Sequence, residues 1–437
     1  MREVKTALPV PGQPIRRWVL LLLFIAFALR VSAAILVERH VAASGRTFLI
    51  EGDANGYWEL GRRIAAGENY EIHSPPRRIL RTPGFPLLLA ASIRLFGESV
   101  FRASLLLAGV GTVCCWLTYT LARPIAGHRS ALAALALAAI APLQIGSSVQ
   151  VLSECWFSVW LLLSLIPLRS LLREGNADQD HQSSFRSAVL QGLLAGFAAG
   201  FGVLVRPGWV LWPATAAIGI AVWGGGSWVR RLAIMVCLTL GCWLTLLPWA
   251  VRNYFVCGHL VHTSLWSGPS LYDGLNPQAT GASNMEFFDR DQLMLQMDEY
   301  SMNEEYKRRV WTFVQQEPLR AVELGLLKAG RYLSPILQAE TVSSPAVSLV
   351  CLVWHGISGF LVIRGSWLLW RAGLRPVVLL LWAPFLQFLL IHLVFVGSVR
   401  YRLPVEFPLL VLAGVGLSGW RPFSVKRVAD HVAGRDA

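Results

Sequence analysis

Charged residues are scarce in this sequence of 437 residues. Asp, Glu, Lys and Arg together make up 15% of the chain, whereas hydrophobic residues make up 54%. A soluble domain carries roughly 25% charged residues, and one or two aqueous cores could not bury so much apolar surface. The composition therefore excludes an ordinary soluble protein and indicates an integral membrane protein.

Patterns typical of metal sites and disulfide frameworks are also lacking. Of the seven cysteines, six fall in or beside apolar segments and Cys257 stands alone in a loop, so no pair has metal-ligand spacing. His259 and His262 are three residues apart, but no third ligand is apparent. We therefore predict no metal site and no cofactor, while the use of a divalent cation stays open.

Basic residues outnumber acidic ones, and the net charge is +13. A basic protein could bind nucleic acid. Here, however, Lys and Arg lie mainly between apolar segments, where they fit membrane orientation and contact with anionic lipid. We therefore expect membrane lipid as a partner and no nucleic acid.

Apolar segments recur along the whole chain. A spanning helix needs about 20 mostly apolar residues, so the shorter apolar stretch at 84–96 favours an interfacial or re-entrant helix. We predict an all-α integral membrane protein that forms a single polytopic domain over residues 1–437. About ten spans are expected, at 18–37, 100–122, 130–148, 151–171, 187–205, 208–224, 232–250, 345–363, 376–396 and 403–420.

Lys and Arg in the short loops predict the orientation of these spans. With Lys5, Arg16 and Arg17 in the cytoplasm, every short basic loop falls on the cytoplasmic side. The basic tail at 421–437 then also lies there. We therefore expect a multi-pass protein of the plasma (inner) membrane with both termini in the cytoplasm.

Two long segments then face outward, and both are too long to be simple turns. The first outer loop covers residues 38–99 and the second covers 251–343. Within the second loop, residues 297–316 have a helical pattern. Residues 319–333 place apolar side chains at helical spacing between charges, which is typical of an amphipathic helix in the membrane interface. Function is expected in these loops, because loops on a rigid scaffold often carry it.

Asp53 is the first candidate for chemistry. It lies just beyond the first span, where water and a lipid headgroup can both reach a carboxylate. Tyr57 is four residues further on, so the two side chains share a face if the segment is helical. The alternative is a structural role, in which Asp53 caps a helix N-terminus.

Arginines at the outer surface are the second candidate. Arg77, Arg78 and Arg81 lie on the predicted outer side, although orientation favours positive charge inside. Arg binds phosphate in a bidentate manner, so a lipid-phosphate site would explain them, as would contact with bulk headgroups.

Ionisable residues also fall at the predicted outer ends of several spans. Each of them alone could snorkel to the interface, but several that converge on one side favour a site. Arg30 lies inside the first span and could pair with an acid such as Glu154. The residues at outer ends are Arg102, Glu154, Arg206, Arg252 and Arg400.

Four stretches together resemble the bacterial polytopic glycosyltransferases with the membrane fold called GT-C. The similarity is to the protein O-mannosyltransferases and the aminoarabinose transferases of lipid A, and it extends in order over nearly the whole chain. The stretches are Asp53-x-x-x-Tyr57, Arg81-Thr-Pro-Gly-Phe-Pro86, Pro248-Trp-Ala-Val-Arg-Asn-Tyr254 followed by residues 270–281, and Arg400-Tyr-Arg-Leu-Pro404.

The resemblance implies a GT-C-like bundle whose two long outer loops bear interfacial helices. It also implies inverting transfer of a sugar from a polyprenyl-phosphate donor to a glycan, lipid or protein acceptor at the outer face. Asp53 would be the general base for the acceptor hydroxyl. Fixed cations would stabilise the leaving phosphate. These would be Arg81, Arg206, Arg252 and Arg400, while the substrate pocket would contain Tyr57, Arg102, Glu154 and Tyr272.

The sequence departs from the family at the catalytic position. Many relatives carry adjacent acids there, whereas here Asp53 is followed by Ala54 and the second acid, Glu51, precedes it. The departure leaves open which carboxylate does what. A transporter or flippase of lipid-linked sugars remains an alternative, although it would more naturally show inverted repeats and broken helices near the midplane. A catalytically inactive scaffold is a third reading.

Overall fold

Helices provide the regular structure of this protein. The computed structural model describes residues 13–172, 185–338 and 344–419. Within these ranges no β-strand forms, and extended pairing is limited to an isolated bridge between Ile72 and Arg77. The predicted all-α class is therefore confirmed. The tail predicted at 421–437 lies outside the described residues.

The N-terminal part, residues 13–172, contains six helices, of which three are short. Asp53 opens the second helix, where a negative charge is favourable next to the free N–H groups of a helix start. Gly67 ends that helix in the left-handed conformation. The helices are α1 (Gln13–Ala43), α2 (Asp53–Ala66), α3 (Gly84–Phe96), α4 (Val100–Ile140), α5 (Pro142–Ser147) and α6 (Glu154–Leu171).

The central part contributes three more helices to the bundle. A short 3-10 turn at Pro207–Leu211 precedes the second of them. The helices are α7 (Phe185–Val205), α8 (Trp212–Trp223) and α9 (Trp228–Cys257). The second outer loop then folds into α10 (Ser267–Gly274), α11 (Glu286–Asp291), α12 (Leu293–Gln296), α13 (Glu299–Gln316) and α14 (Pro318–Leu333). The last three helices are α15 (Pro345–Arg371), α16 (Arg375–Val394) and α17 (Val399–Ser418).

Eight of these helices are long and apolar enough to cross a membrane, namely α1, α4, α6, α7, α9, α15, α16 and α17. Seven predicted spans fall on one of them each. The spans predicted at 100–122 and 130–148 both fall on α4 and its continuation α5, and the span at 208–224 corresponds to the shorter apolar segment Pro207–Trp223.

Helix α4 contains a break that accounts for the two predicted spans. Gly127 has non-helical backbone dihedrals within it (φ 77°, ψ −179°). After this break the chain runs antiparallel to α17. Near one end of α17 the hydroxyl oxygens of Ser130 and Ser418 are 2.8 Å apart, and near its other end Gln144 donates a hydrogen bond of 3.0 Å to the carbonyl of Leu403. The segment after Gly127 is thus a separate pass along the bundle.

Two helix pairs approach closely through glycine. A Cβ atom at Gly365 of α15 would lie 1.8 Å from the carbonyl oxygen of Leu412 in α17, and one at Gly416 would lie 2.2 Å from that of Leu361. In the pair α7 and α9, a Cβ at Gly196 would lie 2.1 Å from the oxygen of Leu238. Small residues commonly mediate such contacts in membranes, since lipid supplies no hydrophobic drive for helix association.

The two long loops pack together at one end of the bundle. We call this end, where residues 44–99 and 258–338 lie, the loop face. The stretch predicted to be short and apolar is α3, with the predicted bounds, and residues 319–333 form most of α14. Leu319, Val322 and Leu326 of α14 are 85%, 63% and 70% exposed and lie on one side of it, as expected for an interfacial helix.

Candidate functional site

Three arginines and two carboxylates form a continuous series of ion pairs at the loop face. Arg81 Nη2 lies 2.9 Å from Asp53 Oδ1, and Arg400 Nη1 lies 3.0 Å from Asp53 Oδ2. Arg400 also pairs through Nε with Glu154, and Arg206 Nη1 lies 3.0 Å from the same Glu154 oxygen. We call this series, from Arg81 to Arg206, the arginine–carboxylate chain. It carries a net charge of +1.

Helix ends bring these side chains together from distant parts of the sequence. Asp53 opens α2, Glu154 opens α6, and Arg400 lies in the first turn of α17. Arg206 directly follows α7, and Arg81 lies in the loop between α2 and α3. All five positions lie at the loop face. The ends of neighbouring helices, together with one loop, thus supply the site. This agrees with the predicted convergence of such residues on one side.

The capping alternative for Asp53 does not describe this structure. Gly52 occupies the cap position of α2, and no side chain there accepts a hydrogen bond from the first turn. The Asp53 oxygens instead each pair with a guanidinium group. The carboxylate therefore acts as an acceptor for Arg81 and Arg400.

The two carboxylates differ in their access to solvent. The side chain of Glu154 is 2% exposed, whereas that of Asp53 is 37% exposed. Arg400, which contacts both, lies between them and is 22% exposed. A reactant that arrives from the loop face can therefore reach Asp53 but not Glu154.

Asp53 stays ionised in this environment. Burial by itself would raise the pKa of Asp53, but the charges and hydrogen bonds of Arg81 and Arg400 outweigh burial. Together they hold the pKa of that carboxyl well below its usual range. In the absence of other ligands the group is a weak base, since proton transfer is most efficient to a base whose pKa lies near the working pH.

Aromatic rings border the arginines. The Arg81 guanidinium carbon lies 4.5 Å from the centre of the Tyr57 ring, in cation–π geometry. Tyr401 lies on the other side of the chain, with its ring centre 5.1 Å from the guanidinium carbon of Arg206 and 5.8 Å from that of Arg400. Tyr57 was among the predicted pocket residues. Tyr401 was not, although its position between Arg400 and Arg402 in the sequence is a usable signal.

The arginine–carboxylate chain has polar atoms without hydrogen-bond partners. Within the described residues, Glu154 Oε2, Arg81 Nε and Arg206 Nη1 are buried and make no hydrogen bond, although Arg206 Nη1 forms an ion pair with Glu154 Oε1. Arg81 Nε approaches the backbone of Gly56, where a Cβ atom would lie 2.9 Å from it. Buried polar groups are normally paired, so these two guanidinium donors lack an acceptor that a bound anion could supply, whereas Glu154 Oε2 is shielded from a ligand by its burial.

Three predicted site residues do not belong to the arginine–carboxylate chain. Arg252 donates hydrogen bonds of 2.7 Å to the carbonyl of Arg78 and 3.3 Å to that of Tyr70. Arg102 donates to the carbonyl of Glu98 at 3.3 Å, at the start of α4. Tyr272 packs in the second outer loop, with its ring centre 4.9 Å from that of Phe287 and 5.4 Å from that of Tyr306.

Arg30 does not pair with Glu154, contrary to the expectation from the sequence. Its guanidinium donates to the carbonyl oxygens of Ala26, Ala138 and Ala139, at 3.0, 3.2 and 3.3 Å. This fully buried side chain therefore joins α1 to α4. Within the described ranges, no group of three or more His, Cys, Asp or Glu side chains could hold a metal ion. His259 stacks on Tyr300 instead, with ring centres 3.6 Å apart.

A cavity of about 740 Å³ lies elsewhere at the loop face. Its lining includes apolar side chains of α8 and α9, such as Pro213 and Trp243, and charged side chains of α13, Glu304 and Lys307. None of the five side chains of the arginine–carboxylate chain lines this cavity. The arginine–carboxylate chain and this cavity are thus separate sites.

Comparison with known proteins identifies the fold. No protein-family model matches the sequence, and no curated protein matches it. Among solved structures, the apo oligosaccharyltransferase of Archaeoglobus fulgidus has a TM-score of 0.55 at 15% identity, and the match covers 96% of this chain and 52% of that one. The archaeal oligosaccharyltransferase AglB of the same organism, in complex with an inhibitory peptide and a dolichol-phosphate, has a TM-score of 0.51 at 16% identity, with 92% and 50% covered.

ArnT from Cupriavidus metallidurans, bound to undecaprenyl phosphate, has a TM-score of 0.41 at 14% identity, with 96% of this chain and 80% of that one covered. The present chain spans about half the length of the oligosaccharyltransferases that it matches. At these identities the similarity to the two oligosaccharyltransferase structures, with TM-scores above 0.5, shows the fold alone. The protein has the GT-C fold of membrane glycosyltransferases, and the fold predicted from the four sequence stretches is confirmed.

Proposed function

We propose that this protein is an integral-membrane glycosyltransferase. It would move a sugar from a polyprenyl-phosphate donor to an acceptor hydroxyl at the outer face of the plasma membrane, with inversion at the anomeric carbon. The observation that carries the proposal is the arginine–carboxylate chain. An accessible carboxylate lies between two guanidinium groups at one end of a membrane bundle with the GT-C fold.

The charge of the chain fits a phosphodiester donor. Three guanidinium groups and two carboxylates leave a net charge of +1. A polyprenyl-phosphate sugar is a phosphodiester and carries one negative charge, so its binding would make the site neutral. We assign the phosphate to Arg81, Arg206 and Arg400, because guanidinium groups bind phosphate oxygens in a bidentate manner. Arg252 is left out because its donors go to backbone carbonyls.

The chemical step keeps this balance. The acceptor oxygen forms a bond to the anomeric carbon and gives its proton to Asp53. The bond from that carbon to the phosphate oxygen breaks, and its electron pair leaves with the phosphate. The phosphate gains one negative charge while Asp53 loses one, so the site stays neutral. Fixed guanidinium groups stabilise the charge that develops on the leaving group.

Donor binding would also activate the base. In the structure, guanidinium N–H groups of Arg81 and Arg400 point to Asp53 and keep its pKa low. A phosphate that takes these donors weakens both ion pairs and raises the pKa of Asp53 towards the range in which a general base is efficient. Glu154 remains buried beneath, where it holds Arg206 and Arg400 in place.

The nature of the substrates is drawn from the neighbours in fold. The structure of AglB contains a dolichol-phosphate, which supports a polyprenyl-phosphate carrier for the present chain as well. The acceptor would be a glycan, a lipid or a protein. Both termini would lie in the cytoplasm and the loop face outside, in contact with membrane lipid.

A flippase would need a charged path across the bilayer. The five charged side chains of the arginine–carboxylate chain instead gather at one end of the bundle, which favours the transferase. The test uses purified protein in liposomes with a panel of labelled polyprenyl-phosphate sugars and candidate acceptors. Transfer of label to an acceptor supports the proposal. Movement of intact donor across the bilayer without transfer would refute it and favour the flippase.

A further inference from the structure

The segment just before Arg81 is bound by a carboxylate of the second outer loop. Glu299, the first residue of α13, accepts hydrogen bonds from the backbone amides of Arg78 and Ile79. Its Oε2 lies 2.9 Å from Arg78 N and 3.1 Å from Ile79 N, and its Oε1 lies 2.9 Å from Ile79 N. Hydrogen bonds from backbone amides to a carboxylate are about twice as strong as hydrogen bonds between neutral groups.

Other groups of residues 77–79 are also engaged by residues outside the first loop. The carbonyl of Ile79 accepts from the amide of Leu265 at 2.9 Å. The side chain of Arg77 donates to the carbonyls of Met294 and Met297. Arg252 donates to the carbonyl of Arg78. The amides and carbonyls of residues 78 and 79 therefore all have partners between residues 252 and 299.

Glu299 occupies an unfavourable place for a carboxylate. Burial raises the pKa of Glu299, against the two amide hydrogen bonds and the charges of Arg77 and Arg252, which lower it. Among the described residues it forms no ion pair within 4.0 Å, unlike Glu305 on the same helix, which pairs with Arg308 and Arg309. Its contacts are thus directed at the backbone of the first loop.

Little chain separates this contact from Arg81. Only Leu80 lies between Ile79 and Arg81, and Ile79 and Leu80 are 0% and 4% exposed. Consecutive Cα atoms are 3.8 Å apart, so a shift of Ile79 passes to Arg81 with one buried residue to absorb it. The carbonyl of Arg81 itself accepts a hydrogen bond of 3.1 Å from the hydroxyl of Tyr70.

We infer that Glu299 is a positioning residue that sets the place of the Arg81 guanidinium in the phosphate site. The second outer loop would thereby determine the geometry of a site whose residues all lie outside that loop. The inference rests on the proposed function for the phosphate role of Arg81. Its structural part, the fixed backbone of residues 78 and 79, stands independently.

The decisive test is a double-mutant cycle between Glu299 and Arg81, read by the affinity for polyprenyl phosphate and by the transfer rate. If Glu299 acts through Arg81, Glu299→Ala weakens binding and lowers kcat by about 10- to 100-fold, as small displacements of a positioned group do. In an Arg81→Ala background the same change should then have almost no further effect on binding. An equal loss in both backgrounds would overturn the inference.

Two further variants separate positioning from general stability. In Glu299→Gln one oxygen remains, and because Oε2 alone lies near both amides, this variant should retain most of the affinity. Glu305→Ala removes ion pairs of the same helix that do not touch residues 77–79, so it should bind as the wild type does. A loss in Glu305→Ala as large as that in Glu299→Ala would also contradict the inference.

Amide hydrogen exchange distinguishes failure of the inference from failure of the proposed function. Exchange at residues 78 and 79 should be slow in the wild type and fast in Glu299→Ala. If the wild type binds no polyprenyl phosphate while this change in exchange occurs, the proposed function is refuted and the fixed backbone stands. If the wild type binds it and Glu299→Ala binds it equally well, the positioning role alone is refuted.

Discussion

Asp53 and Glu154 share Arg400, yet water reaches only one of them. Asp53 is about a third exposed and lies at the start of α2, so an acceptor hydroxyl can approach it. Glu154 is nearly fully buried, with two arginines as partners and one oxygen without a hydrogen-bond partner among the described residues. In the proposed function, the accessible carboxylate of Asp53 accepts the proton, whereas the buried carboxylate of Glu154 supports the arginines.

The pH dependence of the reaction should report the two states of Asp53. The acidic limb of kcat/KM reflects the free enzyme, in which Arg81 and Arg400 keep the pKa of Asp53 low. A lowered pKa means that the base stays deprotonated as the pH falls, so this limb should lie below about 3.9, the ordinary Asp value.

The acidic limb of kcat reflects the donor complex and should lie at higher pH, because the phosphate then takes the guanidinium donors. Initial rates over a pH series, corrected with the measured stability of the protein at each pH, would check this. Coincident limbs, or a limb of kcat/KM at higher pH than that of kcat, would contradict the account.

Glu154→Gln should reduce stability more than Asp53→Asn does. Removal of one partner from a buried ion pair leaves the other charge uncompensated, which costs about 3–5 kcal/mol. Glu154 is 2% exposed and has two such partners, whereas Asp53 is 37% exposed and leaves its arginines closer to water. Thermal unfolding of both variants in one detergent measures the difference. Equal losses would show that burial of Glu154 does not matter for stability.

The sequence predicted which residues lie near the site better than which way they point. Residues at the outer ends of spans are expected at one face, and Arg206 and Arg400 indeed meet there. Arg252 and Arg102 lie at comparable ends, but their guanidinium groups bind nearby backbone carbonyls. Position along a span fixes the depth of a residue, whereas the direction of a long side chain depends on partners that only the tertiary structure supplies.

Helix α17 connects the site to the packing of the bundle. Arg400 lies in its first turn, and Gly416 near its other end packs against α15. The segment after Gly127 of α4 runs along it as well. A change in this packing should therefore reach the site through the helix axis.

Gly365→Ala should destabilise the protein, whereas Gly359→Ala should not. A Cβ at Gly365 would lie 1.8 Å from the Leu412 oxygen, but one at Gly359 of the same helix meets nothing within 4 Å. Overpacking of this kind costs about 1–3 kcal/mol, while alanine in place of an unconstrained helical glycine is favourable by about 0.5–1 kcal/mol. Thermal unfolding of the two variants compares them, and similar melting temperatures would contradict the close approach of α15 and α17.

Hydropathy and periodicity predicted most of the elements of this fold. The bounds of α3 match the predicted stretch, and α13 and α14 match the two helical patterns of the second outer loop. The predicted gap between 122 and 130 contains Gly127, whose non-helical backbone divides α4 into two passes. The two spans predicted there therefore correspond to two passes, joined by a kink instead of by a loop.

For the molecule as a whole, the distribution of charge favours chemistry at one surface. The loop face carries the arginine–carboxylate chain and both long loops, and the fold is that of membrane glycosyltransferases. The sequence predicted this architecture because apolar segments and basic loops recur in a regular order. It did not predict the contact between Glu299 and the first loop, because residues so far apart in sequence leave no local pattern.

The orientation of the bundle is open to direct measurement. Glu68 lies at the loop face and Arg371 at the end of α15 remote from it, and both are exposed. In a background without Cys237 and Cys257, the cysteines that are not buried among the described residues, Glu68→Cys should react with a membrane-impermeant maleimide on intact cells. Arg371→Cys should react only after permeabilisation, since basic loops face the cytoplasm. The reverse pattern would place the site inside.

The most direct test of the central claim compares sugar transfer by wild-type protein and by Asp53→Asn, with donor affinity measured in parallel. If Asp53 is the general base at the end of the arginine–carboxylate chain, the variant should stay folded and still bind the polyprenyl-phosphate donor. Its transfer rate should fall by about 10²- to 10⁴-fold, the usual contribution of such a base. Transfer by Asp53→Asn at the wild-type rate would contradict the account.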